Sequence, residues 1–132
     1  MKSFNLEIVT PDGLAYSGEA ESLLLHTDGG DVEILAGHMD YMASVATGRA
    51  RIIVGGVSKF ASCSGGFVTV TSEGVRLAAV TFEFAESIDL ERADRAKERA
   101  ESSLKTATDE REIMLAKARL ERALTRIKVA RL

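Results

Sequence analysis

The stretch GVRLAAVTFEFAESIDLERADRA, residues 74–96, contains the point at which the sequence changes its periodicity. Val75 to Phe84 has the composition of a strand that follows a turn, and it is the last segment of that kind. From Ala93 onward the apolar residues recur every three or four positions, which is the period of an amphipathic helix. A boundary near residue 85 therefore divides the chain into a β part, residues 1–85, and an α part, residues 86–132.

The amino-acid composition changes at the same boundary. All 11 glycines lie between Gly13 and Gly74, and the only proline is Pro11. Residues 86–132 are instead rich in alanine, leucine, arginine, lysine and glutamate, which lose little conformational freedom on entering a helix. Two different architectures therefore share one chain.

Several short segments with strand character make up the β part. Phe4, Leu6 and Ile8 alternate with polar residues, and Pro11-Asp12-Gly13 forms a turn after them. Similar segments at 20–27, 50–54 and 67–71 are each followed by a glycine-containing turn. Short strands with turns about every eight to twelve residues are typical of an antiparallel sandwich or barrel. A parallel sheet is not expected, because no helix in this part is long enough for a crossover.

Two amphipathic helices are predicted in the α part. The first apolar stripe is Ala93, Ala96, Ala100 and Leu104, and the second is Ile113, Ala116, Leu120, Ala123, Leu124 and Ile127. Asp109 and Glu112 have the spacing of a capping box, so the second helix should begin there and fold back on the first. Because alanine methyl groups bury little area, we expect this hairpin to be held shut weakly and to be mobile.

Length, charge and cysteine content exclude several classes of protein. The 132 residues suit one domain or a small domain with an appendage, and the net charge of -3 gives no general attraction to nucleic acid. Cys63 is the only cysteine, and with two histidines it cannot complete a zinc site without carboxylates. No secretory signal and no apolar run of membrane-spanning length is present. We expect an intracellular, metal-free protein that reaches a membrane only through partners.

Residues with catalytic potential are few. His26 alternates with apolar neighbours in a predicted strand, and His38 follows Gly37 in a loop, without a nucleophile at a suitable spacing. Cys63 has no basic neighbour to activate its thiol, and the glycine pairs lack the lysine and serine of a phosphate-binding loop. We therefore expect no catalysis by this chain alone.

Charged residues of the predicted hairpin are ordered by helix geometry. Asp89, Arg92 and Arg99 share one face of the first helix, and Arg122 and Arg126 share one face of the second. Folding the hairpin at its loop places Arg92 opposite Arg122, and Asp89 close to Arg126. An anion such as a nucleotide phosphate would complete this cluster, with Asp89 accepting a hydrogen bond from a base or sugar. A solvated face with exposed ion pairs explains the same spacing.

The end of the second helix is basic. The β part has five basic and ten acidic residues, whereas the α part has 12 basic and 10 acidic residues. The segment 120–132 has a net charge of +3, from Arg122, Arg126, Lys128 and Arg131 against Glu121. A basic amphipathic helix that docks weakly is suited to leave its own domain and bind an acidic partner surface.

Four motifs are spread over the whole chain: VTPDG at 9–13, GDVEILAGH at 30–38, SGGFVTV at 64–70 and IDLERA at 88–93. In order, spacing and total length, they resemble the epsilon subunit of bacterial F-type ATP synthase. The resemblance implies an all-β sandwich of about ten short antiparallel strands, followed by a C-terminal antiparallel α-helical hairpin.

The resemblance also implies a function and partners. The chain would be a non-catalytic central-stalk subunit that binds the gamma subunit and rests on the c-ring, at the cytoplasmic face of a bacterial membrane. Its hairpin would lie folded on the sandwich, or extend towards the alpha and beta subunits, where the basic helix meets an acidic loop and blocks ATP hydrolysis. Asp31 matches an acidic residue near the polar loops of the c subunits, and His38 belongs to the loop at this contact.

A regulatory nucleotide site is also implied, with no required cofactor. In some members of the family the folded hairpin binds ATP through an I/L-D-x-x-R-A motif, a preceding glutamate and further arginines. The matching residues are Glu83, Ile88, Asp89, Arg92, Ala93, Arg99, Arg122 and Arg126. Considered without the resemblance, Glu83 is only a polar residue on the solvent face of a strand.

One loop departs from the family pattern G-I-L-P-G-H-x-P. Glu33 replaces the glycine, and Ala36 and Asp40 replace the two prolines, so two restraints on the backbone are missing at the gamma or c-ring contact. Two other functions fit the sequence: a stand-alone ATP-sensing module that ignores gamma, and a small sandwich hydrolase that uses His38 and a carboxylate. Co-purification with gamma distinguishes these functions.

Overall fold

The structure, a computed structural model, describes residues 2–132. It contains ten strands, one 3-10 turn and two helices in this range. These elements are β1 Phe4–Thr10, β2 Gly13–Ala20, β3 Ser22–Thr27, β4 Gly30–Leu35, β5 Tyr41–Ser44, β6 Gly48–Val54, β7 Val57–Ser64, β8 Phe67–Thr71, β9 Gly74–Ala78, β10 Thr81–Phe84, the turn Ala85–Ser87, α1 Leu90–Thr106 and α2 Glu110–Ala130. The predicted fold class, a β-sandwich followed by a helical hairpin, is confirmed.

The strands form two five-stranded sheets around one core. Sheet A has the order β2-β1-β9-β8-β5, and sheet B has the order β10-β7-β6-β3-β4. Side chains alternate along each strand between the inner and outer faces of a sheet. Leu6 and Ile8 of β1 and Leu23 and Leu25 of β3 all point inward and belong to the same buried apolar cluster. The core therefore lies between the sheets and does not include the hairpin.

One pair of strands departs from the antiparallel pattern. β1 pairs with β9 in parallel, with Leu6 opposite Val75 and Ile8 opposite Leu77. The chain reaches this arrangement without a crossover helix, because it passes through strands of both sheets before it returns to β1 as β9. The expectation of antiparallel strands is therefore wrong for this pair, while the other pairs between strands are antiparallel.

The segment Val75 to Phe84 is two strands rather than one. Between β9 and β10 the Ala79 N–H donates to the Val9 carbonyl at 2.9 Å, and the Val80 N–H donates to the Ser64 carbonyl at 3.0 Å. The chain thereby leaves sheet A and joins the edge of sheet B. Phe82 is buried in the core, and its neighbour Glu83 consequently faces outward from β10.

Both helices begin at an aspartate that caps their first turn. The Asp89 carboxylate accepts a hydrogen bond from the Arg92 N–H at 3.1 Å, and the Asp109 carboxylate accepts one from the Glu112 N–H at 2.8 Å. The Glu112 carboxylate accepts in return from the Thr108 N–H at 3.3 Å. The predicted capping signal at Asp109 is therefore confirmed, and it fixes the start of α2.

The hairpin docks on the outer face of sheet B through α2, which packs on β6, β7 and the 3-10 turn. Ala93 and Ala100 of α1 and Ala116 and Ala123 of α2 are buried, so small methyl groups make up much of the hairpin interior. Val129, near the end of α2, is only 1% exposed. Within residues 2–132, neither helix combines the length and apolarity needed to cross a bilayer.

Gly66 permits a close approach between two backbone segments of the sandwich. Its φ is +89°, and a Cβ there would lie 1.8 Å from the Ala78 carbonyl oxygen. Gly66→Ala should destabilise the protein by about 2–6 kcal/mol, because backbone strain and overpacking add. Denaturant unfolding measures this loss. Gly55→Ala is the control, because Gly55 has a φ of +58° with nothing within 4 Å, and it should cost about 1–2 kcal/mol. Equal losses in the two variants would contradict the assigned packing.

Candidate nucleotide site between the sandwich and the hairpin

A cavity of about 450 Å³ lies where the sandwich meets the hairpin. The β1–β2 turn and β10 form its wall on the sandwich side, and the start of α1 forms the opposite wall. Its volume is in the range of small-molecule sites. The predicted nucleotide residues that line it are Glu83, Ile88, Asp89, Arg92, Ala93, Arg99 and Arg126.

Arg122 is the predicted residue that does not line this cavity. The sequence placed it opposite Arg92, but the structure leaves it half-buried on α2, one turn before Arg126. Arg122 and Arg126 lie on the same face of α2 and differ by one turn in their level along it. Counting residues from the loop fixes that level only to about one turn, and the cavity lies at the level of Arg126.

Arg126 and Glu83 join the hairpin to the sandwich. The Arg126 Nε donates to the Glu83 Oε1 at 2.7 Å, and the side chains are 26% and 38% exposed. The contact forms because β10 turns Glu83 outward and α2 lies over this face of sheet B. Among residues 2–132 it is the only side-chain hydrogen bond between the two parts. Glu83 therefore takes part in the contact between the sandwich and the hairpin and is not simply a polar residue on the solvent face of a strand.

Asp89 lines the cavity and also caps α1. Its Oδ1 caps α1 by accepting from the Arg92 N–H, and the carboxylate forms no ion pair in the described chain. Asp89 nevertheless lines the same cavity as Arg92, Arg99 and Arg126. Its contribution is to fix the start of α1, from which the Arg92 and Arg99 side chains reach the cavity.

In the described part of the chain, the cavity is lined by three arginines and three carboxylates, and two of the arginines have no ionic partner. Arg126 is paired with Glu83, whereas Arg92 and Arg99 are exposed and take part in no ion pair within residues 2–132. They lie two helical turns apart, so their Cα atoms are separated by about 10 Å along the axis of α1. Ile88 and Ala93 add apolar surface beside them. Phosphate oxygens match the guanidinium groups, and a flat base matches the apolar surface.

Thr10 and Asp12 also line the cavity. From the sequence they are only parts of a turn. Thr10 and Asp12 are distant in sequence from the arginines, so the sequence does not indicate that they share a site with them. The docking of the hairpin brings the two groups of residues together.

Asp31 and His38, the predicted partner contacts, lie apart. Asp31 is at the start of β4, where its Oδ1 lies 2.8 Å from Nδ1 of His26 across the β3–β4 ladder. His38 follows the other end of β4, and its Nδ1–H donates to the Met39 carbonyl at 2.7 Å. The alternative function as a hydrolase needs a carboxylate that orients His38 as a base, and no carboxylate in the described chain is hydrogen-bonded to His38.

The residues that replace the family pattern have defined surroundings. Glu33 accepts hydrogen bonds from Ser22 and Arg51 on the outer face of sheet B. Gly37 adopts a φ of +81°, and the His38 N–H closes the turn on the Leu35 carbonyl at 3.1 Å. The loop therefore keeps a hydrogen-bonded turn although Ala36 and Asp40 stand where the family has prolines.

The remaining candidate groups are structural. Cys63 lies in the core, and burial raises the pKa of its thiol to about 12, so the reactive thiolate is suppressed at neutral pH. Within residues 2–132, no three histidine, cysteine, aspartate or glutamate side chains are grouped closely enough to hold a metal ion.

The fold defines a two-part protein, a β-sandwich with a helical hairpin docked on it and a cavity that contains arginines between them. Residues 3–85 match the family described as "ATP synthase, Delta/Epsilon chain, beta-sandwich domain", and residues 86–131 match "ATP synthase, Delta/Epsilon chain, long alpha-helix domain". The chain therefore belongs to the ATP synthase delta/epsilon family. The resemblance found in the sequence is confirmed, and the chain is a non-catalytic, epsilon-type subunit of the central stalk.

Curated relatives and solved structures agree with this assignment. ATP synthase epsilon chains of Bacillus velezensis and Ruminococcus albus are 40% and 38% identical, and each alignment covers 98% of both chains. A chain of the Euglena gracilis mitochondrial ATP synthase is 25% identical with a TM-score of 0.76, over 90% of this chain and 76% of that one. A chain from the central stalk and c-ring of the Tetrahymena thermophila enzyme shares the fold, with a TM-score of 0.67 at 15% identity over 98% and 97% of the two chains.

Proposed function

We propose that this subunit couples rotation of the stalk to ATP synthesis through its sandwich, and restrains ATP hydrolysis through a hairpin that binds ATP when docked. The observation that carries the proposal is the cavity between the two parts, with Arg92, Arg99 and Arg126 from both helices in its lining. A ligand that touches the sandwich and the hairpin at once stabilises the docked arrangement over the extended one, by its difference in affinity for the two.

The hairpin has the features of a part that can leave the sandwich. Its docking surface belongs to α2, its interior is rich in alanine, and the Arg126–Glu83 pair is its one side-chain hydrogen bond to the sandwich within residues 2–132. Since partly exposed ion pairs contribute little, modest changes in ligand or partner concentration are enough to shift the hairpin between positions. When extended, its basic end would reach the alpha and beta subunits.

A surface on the opposite sheet fits the gamma subunit. Phe67, Ala78, Val9 and Leu14 lie side by side across four strands on the outer face of sheet A. Phe67 is 57% exposed and Leu14 is 62% exposed, and an exposed apolar row of this kind is typical of a protein interface. Because α2 covers sheet B, gamma can bind here whether the hairpin is docked or extended.

The polar end of sheet B fits the c-ring. Asp31 is exposed there, and its pairing with His26 holds its carboxylate near the β3–β4 turn, where it can meet polar loops. Together these contacts would place the subunit at the cytoplasmic face of the bacterial membrane, attached through the complex.

Titration of ATP into the full chain tests the nucleotide site. We expect saturable heat of binding in calorimetry and a rise in Tm with ATP concentration, because ligand binding stabilises the folded, docked chain. Co-expression with gamma separates a stalk subunit from a stand-alone sensor. An absence of ATP binding would refute the nucleotide part of the proposal, and a failure to co-purify with gamma would refute the coupling part.

A truncated chain of residues 1–85 tests the division of roles. It should unfold cooperatively and still bind gamma, because the core cluster lies entirely within the sandwich. Removal of α2 uncovers Ser62 and Ser64 of β7, which water can solvate. Protection of Cys63 from a thiol reagent provides a second readout, since its thiol is buried in the core. Rapid Cys63 labelling together with loss of gamma binding would show that the sandwich depends on the hairpin.

A further inference from the structure

Three carboxylates line the cavity, and two of them are already engaged. Glu83 accepts from the Arg126 Nε, and Asp89 accepts from the Arg92 N–H. The third, Asp12, has neither an ion pair nor a side-chain hydrogen bond within residues 2–132. It is the acidic side chain of the lining that remains available to a ligand.

Asp12 is held on a stiff part of the sandwich. Pro11 restricts the backbone beside it, and the Asp12 N–H donates to the Thr10 Oγ1 at 3.2 Å. Thr10 and Gly13 close the turn as the last pair of the β1–β2 ladder, and Gly13 takes a φ of +124° that favours glycine. A carboxylate on such a turn loses little conformational freedom when it binds a ligand.

The charge of Asp12 restricts which part of a nucleotide it can face. Phosphates are drawn to Arg92, Arg99 and Arg126 and repelled by a carboxylate, so Asp12 must meet an uncharged hydrogen-bond donor. Asp12 forms no ion pair with these arginines, which agrees with a place away from the phosphate end. The two adjacent ribose hydroxyls suit it best, because a carboxylate accepts hydrogen bonds from both, as acidic residues do in dinucleotide-binding folds.

We propose that Asp12 is a specificity residue that binds the ribose hydroxyls of the nucleotide; this inference rests on the nucleotide site proposed above. The β1–β2 turn then holds the sugar while the hairpin arginines hold the phosphates. A ribonucleotide thereby contacts the sandwich through its ribose and the hairpin through its phosphates. A 2′-deoxyribonucleotide lacks one hydroxyl and makes a weaker contact with Asp12. The site consequently distinguishes ribonucleotides from deoxyribonucleotides.

Calorimetry on the full chain with ATP and 2′-deoxyATP tests this assignment. The parent should bind ATP about tenfold or more tightly than 2′-deoxyATP, which is the range for a hydrogen bond to a charged group. In Asp12→Ala the two affinities should agree to within about twofold, because the acceptor of the 2′-hydroxyl is gone. Asp28→Ala is the matched control: it removes an exposed aspartate from the β3–β4 turn, outside the cavity, and should keep the parent's preference.

Each result supports or overturns the inference. A preference for ATP that persists in Asp12→Ala overturns it, and so does equal binding of the two nucleotides by the parent. An equal loss of affinity for both nucleotides in Asp12→Ala would assign the carboxylate to the base instead of the ribose. If the parent binds no ATP, the nucleotide site itself is refuted and the inference with it. A cooperative thermal transition in Asp12→Ala, matching that of the parent, establishes that the variant is folded.

Discussion

Arg126→Ala is expected to weaken ATP binding to the full chain by about 10- to 150-fold, the range for charge-assisted hydrogen bonds. The Arg126 Nε is held by Glu83, so the guanidinium group is already oriented when the phosphate arrives. The same substitution also removes the hydrogen bond that joins α2 to β10. Arg126→Ala should therefore loosen the docked hairpin even without nucleotide.

Arg92→Ala separates these two effects. Arg92 is exposed, lines the cavity and forms no ion pair in the described chain, so its loss should weaken ATP binding while leaving the free chain docked. Calorimetry measures the affinity, and hydrogen exchange of the α2 amides measures docking. Arg119→Ala, at an exposed position on α2 outside the cavity, is the matched control. If Arg126→Ala and Arg119→Ala bind ATP equally well, Arg126 is not a phosphate ligand.

The double variant Lys128→Ala/Arg131→Ala should raise ATP hydrolysis by the assembled complex at low salt. Both residues are exposed and lie outside the nucleotide cavity, so their loss leaves the ATP-bound form intact. They would attract the acidic surface that the extended hairpin meets. At about 0.2–1 kcal/mol for each exposed pair, the ratio of free to inhibited complex should increase about 2- to 30-fold.

Salt provides a second readout of the same variant. The difference from the parent should shrink as the Debye length falls from about 10 Å at 0.1 M salt to about 3 Å at 1 M. Arg111→Ala/Lys117→Ala removes the same charge from exposed positions earlier on α2 and should change hydrolysis less. Unchanged hydrolysis at low salt in the Lys128→Ala/Arg131→Ala complex, with normal assembly, would show that these charges do not carry inhibition.

Local patterns in the sequence were sufficient to predict an antiparallel sandwich or barrel followed by two helices, and the start of the second helix; the family resemblance selected the sandwich. The alternation at Phe4, Leu6 and Ile8 lies in β1, and the Asp109 signal directly precedes α2, because both depend on neighbours a few residues away. The buried alanines of the hairpin follow the predicted stripes for the same reason.

Contacts between distant segments were not predictable in this way. Three features depend on how complete elements pack: the parallel pairing of β1 with β9, the level at which α2 meets the cavity, which brings in Arg126 and not Arg122, and the burial of Val129. The family motif identifies Glu83, but its hydrogen bond to Arg126 requires both the passage of the chain from sheet A to sheet B after β9 and the docking of α2. Asp12 could not be predicted as a cavity residue for the same reason. Its local sequence indicates only a turn, and it is the docking of the hairpin that brings this turn beside the arginines.

The place of β1 inside sheet A, between β2 and β9, affects how the protein folds during synthesis. Its neighbours are β2, made directly after it, and β9, made near the end of the sandwich. As the chain leaves the ribosome, β1 and β2 can form a hairpin, but the other edge of β1 stays unpaired until β9 emerges. The average sequence separation of native contacts is correspondingly high, which slows folding. We expect the sandwich to complete its core late, in one cooperative step, and to need protection from aggregation before that step.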